Sequence, residues 1–290
     1  MKVCSTFAWL LLGLIALARP ADAGWVVEWA NVVRQPDGQS LPAEPSTMQI
    51  QGNRVRLTQP RSVTVIDYKK DLFTIMNPAT QSFWSGQVAE YIEETARKRK
   101  AQSEKRTGRR PRLGRDGRTP SVDESKLPSV TVKRTDQTKT IAGHDTVKYE
   151  ILSDGEPFQE MWVAENVDVS SDLDPDRFLA YQRKMGAGML GQSSGRYNAL
   201  YRNEDYKKLV SKGFALEIVT RHIGGGFDRT VTAIRREDIP ASTFEVPESY
   251  RRVSLADVLP KPEQTAAGTA PKPVLPPGAA KKPPSDASPK

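Results

Sequence analysis

In this chain of 290 residues, chemistry would have to come from a short set of side chains. The two histidines are His144 and His222. A zinc centre takes three or four ligands at short spacings. His144-Asp145 offers one imidazole and one carboxylate in a tight turn after Gly143, without a third ligand nearby, and His222 stands alone beside a run of glycines. The spacing predicts surface and hairpin roles for both, and no metal. Asp172, Asp174 and Asp176 alternate as in a calcium loop. Such a loop needs glycine at its sixth position and glutamate at its twelfth. Counted from Asp172, Arg177 stands at the sixth and a basic residue at the twelfth. These acids suit a helix N-terminus better, where carboxylates meet the positive end of the dipole.

Ser193-Ser194-Gly195 offers hydroxyl nucleophiles, but the base would have to be one of the two histidines. Gly224-Gly225-Gly226 lacks the lysine and the strand-to-helix setting of a phosphate loop. The only cysteine, Cys4, lies ahead of the apolar run of the N-terminus. Without that segment the chain has no disulfide, no thiolate ligand and no cysteine nucleophile. The sequence therefore predicts no catalytic residues, no cofactor and no enzyme.

Two features could bind rather than react. Phe178, Tyr181, Met185 and Met189 form an apolar stripe. Methionine adapts to varied apolar ligands, so the stripe could line a ligand cavity; simple core packing is the alternative. The second feature is a run of charge. Between Arg97 and Arg118 stand eleven basic residues, including Arg97, Lys98, Arg99, Lys100, Arg109, Arg110 and Arg112, against only Glu104 and Asp116. The net charge of the whole chain is +8, so the rest is close to neutral. The run has no aromatic residue on which bases could stack, which argues against nucleic acid. An anionic envelope surface suits it better, since each basic residue near such a surface contributes about 1 kcal/mol. A solvated insertion that binds nothing is the alternative.

These residues need elements to hold them. From Trp25 the dominant period is two, the mark of half-buried strands. Trp25, Val27, Trp29 and Val33 alternate with polar neighbours, as do Met48 and Ile50. Gly52-Asn53 predicts a two-residue hairpin turn into Val55 and Leu57. Val63 and Val65, then Leu72, Phe73 and Ile75, then Phe83 and Trp84 complete a meander with turns at 67–71 and 77–80. Val88, Tyr91, Ile92 and Thr95 follow at helical spacing. Strands are expected at Val130–Val132, at Thr140–Leu152 with a break at Gly143-His144-Asp145, and at Phe158–Ala164. A helix is expected over Pro175–Met189 with Asp174 as N-cap, and a shorter one within Leu200–Val210. Phe214–Ile223 and Phe227–Ile234 pair around the three glycines. Phe244, Val246 and Pro247 close the folded part. Trp29, Trp84 and Trp162 are expected on the core faces of strands.

The ends of the chain read differently. Lys2, the apolar run Phe7–Ala18, Pro20 and Ala21-Asp22-Ala23 have the order of a secretory signal peptide cut after Ala23. The run is short of the roughly 20 residues needed to span a bilayer. Nine of the 32 residues from Leu259 to Lys290 are proline and none is aromatic, so this tail cannot bury enough surface to fold. The expected organisation is a signal peptide over 1–23, one domain over 24–96 and 127–256, a disordered basic insertion over 97–126 and a disordered tail over 257–290. The expected class is mainly β (α+β), antiparallel, with two or three helices. The protein is expected to work in the periplasm or secreted, and not as a transmembrane protein.

The string Lys139-Thr140-Ile141-Ala142-Gly143-His144-Asp145-Thr146-Val147-Lys148-Tyr149, then Glu160-Met161-Trp162-Val163-Ala164, and before them Ile66-Asp67-Tyr68-Lys69-Lys70 and Phe73-Thr74-Ile75-Met76-Asn77-Pro78, resemble a bacterial exported domain-of-unknown-function family related to the periplasmic lipoprotein carriers. The resemblance implies a curved antiparallel half-barrel sheet with helices across its concave face. It implies a lipid or acylated ligand held beneath those helices.

Overall fold

The computed structural model describes residues 23–34, 39–41, 45–107, 124–189, 194–222 and 225–259. Period-two alternation becomes strand wherever the sequence carries it. Strands β1 (Gly24–Arg34), β2 (Ser40–Leu41), β3 (Ser46–Gln51), β4 (Arg54–Gln59), β5 (Ser62–Asp67), β6 (Leu72–Asn77) and β7 (Ser82–Gln87) form the first half. The second half holds β8 (Val130–Ile141), β9 (His144–Ser153), β10 (Glu156–Ala164), β11 (Phe214–His222) and β12 (Gly225–Glu237). All join one large, open, curved sheet in the order β13-β7-β6-β5-β4-β3-β1-β12-β11-β10-β9-β8, with β2 beside β1. The pairings are antiparallel except that of β13 (Arg251–Arg252), which runs parallel to β7.

Turn chemistry sets the registers. Gly52 and Asn53 both take positive φ, +58° and +64°, the pair of left-handed residues that a tight hairpin demands. Register shifts fall between Glu28 and Trp29 on β1 and between Trp162 and Val163 on β10. Bulges of this kind bend a strand and raise its twist; β1 stands in the middle of the sheet and β10 toward its β8 end.

Five helices accompany the sheet: α1 (Val88–Thr107), α2 (Pro175–Met189), α3 (Ser194–Leu200), α4 (Glu204–Lys212) and α5 (Leu255–Val258). At the start of α1 the Gln87 amide donates to the Glu90 carboxylate at 3.1 Å, half of a capping box. Val88, Tyr91 and Thr95 are buried, as the stripe predicts. Asp174 caps α2 as expected, its Oδ1 accepting from the amides of Asp176 and Arg177 at 2.9 and 3.2 Å.

Three expectations need correction. The helix that opens at Val88 runs on to Thr107, into the stretch read as a disordered insertion. Helix formers continue through Ala96 to Lys105, and Gly108 is the first strong breaker. Val130–Val132 and Thr140 belong to one strand, β8, because pairing with β9 carries the polar residues between them along. The short helix expected within Leu200–Val210 is α4, where Asn203 caps the start by accepting from the Tyr206 amide at 2.9 Å, and α3 precedes it unannounced. The fold also continues past Pro247: Val253 donates to the Phe83 carbonyl at 2.8 Å, and Leu255 and Val258 are buried.

Both faces of the β3–β7 half are covered. Val63, Val65, Met76 and Val26 meet Ile239 and Phe244 on one face. On the other, Phe73, Ile75 and Trp84 meet Val88 and Tyr91 of α1, Tyr181 of α2 and Leu255 and Val258 of α5. Tyr149, Ile151, Met161 and Val163 of β9 and β10 pack against Leu179, Leu200, Tyr206 and Leu209 of α2, α3 and α4. Trp84 lies in the second of these cores and Trp29 in a further one with Val27, Ile141, Leu216 and Val231, while Trp162 is partly buried under the Lys139 ammonium, 4.1 Å from its ring centroid.

Candidate ligand cavity

Between the two helix-covered cores the packing does not close. A cavity of about 390 Å³ remains there, within the range of about 300–1,000 Å³ usual for small-molecule sites. Its floor is sheet: Trp29 of β1, Met48 of β3, Val55 and Leu57 of β4, Ile66 of β5, Met161 and Val163 of β10, and Ile218 of β11. Register puts these side chains on one face, since Met48 opposes Leu57 and Val55 opposes Ile66. Its roof is Leu173 and Pro175 of the segment before α2, Phe178 and Tyr181 of α2, Tyr197 of α3, Tyr201, and Tyr206, Leu209 and Val210 of α4.

The roof is held by a clasp far from it in sequence. The Asn53 amide at the β3–β4 turn donates to the Asp172 carbonyl at 2.7 Å, and the Asp174 amide donates to Asn53 Oδ1 at 2.8 Å. This fixes where α2 begins. Asp172 is itself buried and pairs with Arg236 at 3.2 Å. At the far end, Gly213 lets β11 leave α4 close to β10, because a Cβ there would collide with the Ala164 carbonyl.

Aromatic rings line much of the roof. Tyr68 meets Tyr181 edge-on at 5.2 Å, and Tyr197, Tyr201 and Tyr206 follow one another at 6.0 and 6.1 Å between centroids. Burial pushes the Tyr206 phenol up to about 12 and raises Tyr68, Tyr181 and Tyr201 further. These phenols stay neutral at any physiological pH and act as donors or acceptors, not as bases. The polar wall residues are few: Gln159, Thr220, Asp168, Ser170 and Arg229 among them. Burial lowers the Arg229 pKa, and nearby Tyr206 and Tyr201 partly oppose this.

Of the stripe singled out in the sequence, Phe178 and Tyr181 line the cavity. Met185 packs beside it, in the cluster of Phe73, Tyr91 and Tyr181. Met189 ends α2, and its side chain lies outside the described residues. Sequence reasoning missed Arg229, Gln159 and the three tyrosines at 197, 201 and 206. Arg229 had a legible signal: it alternates with Phe227 and Val231 on the inner face of its strand.

The other candidates are quickly placed. His144 opens β9 half-buried, and His222 ends β11. Among the described residues no three His, Cys, Asp or Glu side chains gather as a metal site. Gly191-Gln192-Ser193-Ser194-Gly195 spells Gly-x-Ser-x-Gly, but a nucleophile elbow needs a strand before it, and here α2 precedes and α3 follows. In the basic run, Arg97 pairs with Glu93 on α1 at 2.5 Å, and Lys98 is exposed on the same helix. Arg99 and Lys100 continue α1, with side chains outside the described residues, as are Arg109, Arg110 and Arg112 altogether. Ala21 likewise lies outside, while Ala23 directly precedes β1 and its carbonyl accepts from Arg236. Among the described residues no helix is long and apolar enough to cross a membrane.

The fold and cavity define a large open β-sheet domain with helices packed over an apolar space. Residues 113–250 match the family described as Domain of unknown function (DUF4412), which bears out the resemblance to a family of that kind. No curated protein matches the sequence. Among solved structures, the chain is similar to PNGF-II, at 11% identity and a TM-score of 0.35, over 80% of this chain and 31% of that one. The chain thus spans about a third of PNGF-II. It is also similar to a domain assigned by its description to outer membrane lipoprotein sorting in Vibrio parahaemolyticus, at 7% identity and a TM-score of 0.28, over 77% of this chain and 89% of that one. Likenesses this distant carry no argument about activity.

Proposed function

We propose that this is a non-enzymatic binding protein of the cell envelope, exported by its N-terminal signal, which holds a hydrophobic or lipidated ligand under the helices of a half-barrel sheet. One observation carries the reading: the apolar cavity of about 390 Å³ between sheet and helices. A protein whose only task was to dock on a surface would have no use for an unfilled core, because interiors pack densely and voids destabilise. Trp29 and Phe178 belong to different packed clusters, and both line the cavity between them. The carrier-like fold implied by the sequence agrees with this, as a half-barrel whose concave face the helices cover.

The test is native mass spectrometry with lipid extraction on protein purified from its own envelope fraction. A co-purifying amphipath that is lost when Phe178 is changed to Asp supports the reading. A ligand-free mass, together with binding to anionic vesicles that disappears on deletion of residues 97–118, would replace it with a docking protein that uses its basic run.

A further inference from the structure

The cavity is not uniformly apolar, and its one arginine is unanswered. Arg229 of β12 is cross-strand from Asn31 and Ile218 and lines the cavity. Among the described residues no carboxylate pairs with it. Its guanidinium lies over the Trp29 ring, 5.0 Å from the centroid, and near the phenols of Tyr201 and Tyr206. Arginine keeps its charge in such a place, and a half-buried charge without a counter-ion is costly. Asp168 is the acid among the wall residues, and its Oδ1 is taken by the Ser170 amide at 2.8 Å.

A second group on the same side is also unanswered. Gln159 is 9% exposed and its Oε1 has no hydrogen-bond partner, while its Nε2 donates to Thr220 Oγ1 at 3.1 Å. A half-turn of the amide lets Oε1 accept from the Thr220 hydroxyl and leaves the NH₂ group as an unpartnered donor within the cavity wall. Both groups stand on the β10–β12 side. On the β3–β5 side, Met48, Val55, Leu57 and Ile66 offer only apolar surface. The cavity thus has a polar end and an apolar end, and its volume sits low in the small-molecule range.

We propose that the cavity takes a single-chain amphipath with an anionic head, a carboxylate or a phosphate monoester. The head sits on Arg229 and the Gln159 amide, and the chain runs along Met48, Val55, Leu57 and Ile66. Arginine's planar fork matches both head groups bidentately. The proposal rests on the reading of the cavity as a ligand site.

Hexadecanoate, hexadecyl phosphate and hexadecanol are compared as displacers of a neutral fluorescent apolar dye from the full chain. The wild type should prefer an acid to the alcohol by about ten- to a hundredfold, as expected for hydrogen bonds to a charged group. The tighter of the two acids names the head. Arg229→Gln should bring the ratio of acid to alcohol affinity close to one. Without ligand, Arg229→Met should raise the Tm, because it removes an uncompensated charge; a lower Tm would make Arg229 a structural clamp on Trp29. Equal wild-type affinity for acid and alcohol overturns the anionic head and leaves the cavity reading standing. Failure of all three to displace the dye overturns both. Should Arg229→Gln not fold, the wild-type comparison decides by itself.

Discussion

Glu165 shows how single residues tie the helical roof to the sheet. Its Oε1 accepts from Lys212 at the end of α4 at 2.9 Å and from the buried Tyr149 hydroxyl of β9 at 2.7 Å. These hydrogen bonds, from Lys212 first and then Tyr149, hold its carboxyl below the ordinary glutamate range. A carboxylate with a depressed folded-state pKa adds stability that is present above the unfolded value, about 4.3, and is lost as pH falls through the folded value. Glu165→Gln should therefore cost about 1 kcal/mol at pH 7, as expected for a partly exposed ion pair. The difference from the parent should close toward pH 3. Urea titrations at the two pH values check this, and a gap that persists in acid would mean that the charge is not what stabilises.

At the scale of elements, the β3–β4 hairpin and α2 form one unit although about 120 residues separate them. Asn53 does two things there: it accepts the left-handed φ of the turn, and its side chain receives the Asp174 amide. The two roles separate by substitution. Asn53→Gly keeps the turn and loses the side-chain bond, at about 1 kcal/mol. Asn53→Ala loses the bond and adds the strain of a left-handed alanine, for a total of about 2 kcal/mol or more. Thermal denaturation of both variants measures the split. A neutral Asn53→Gly would mean that the clasp contributes nothing and the turn alone matters.

For the molecule as a whole, the segment after β12 works as a strap. Residues 239–250 cover one face of the sheet, β13 passes its β7 edge, and α5 returns to the other face. Arg251 donates its amide to Gln81, and the Val258 carbonyl accepts from Asn77. A chain ended after Leu259 should melt like the full protein. A chain ended after Tyr250 loses the burial of Leu255 and Val258 and should be less stable by about 3–5 kcal/mol. Equal melting of the two truncations would show that the strap is dispensable.

How much of this was legible beforehand differs by scale. Strands written as alternation, such as Trp25–Val33 and Met48–Ile50, and caps written as single residues, such as Asp174, are local signals and were readable. So was the apolar character of the α2 stripe. Strand β8 was not readable as one piece, because Lys133 to Lys139 carry no alternation and are ordered by their partner β9. The division of α3 from α4 was hidden for a similar reason. Asn203 also donates to the Val130 carbonyl at 3.0 Å, a contact no local window contains.

The amino-acid sequence alone determined the strand-and-turn grammar, the amphipathic helices and the concentration of charge in one stretch, since each depends only on neighbours along the chain. Only the tertiary structure decided that the stripe on α2 faces a void in part and a core in part. It alone brought Arg229 of β12 together with Trp29 of β1 and tyrosines of the helical roof. The reason is physical. A cavity is space left between elements, and its polarity is set by which strands become neighbours in the sheet, which no single segment encodes.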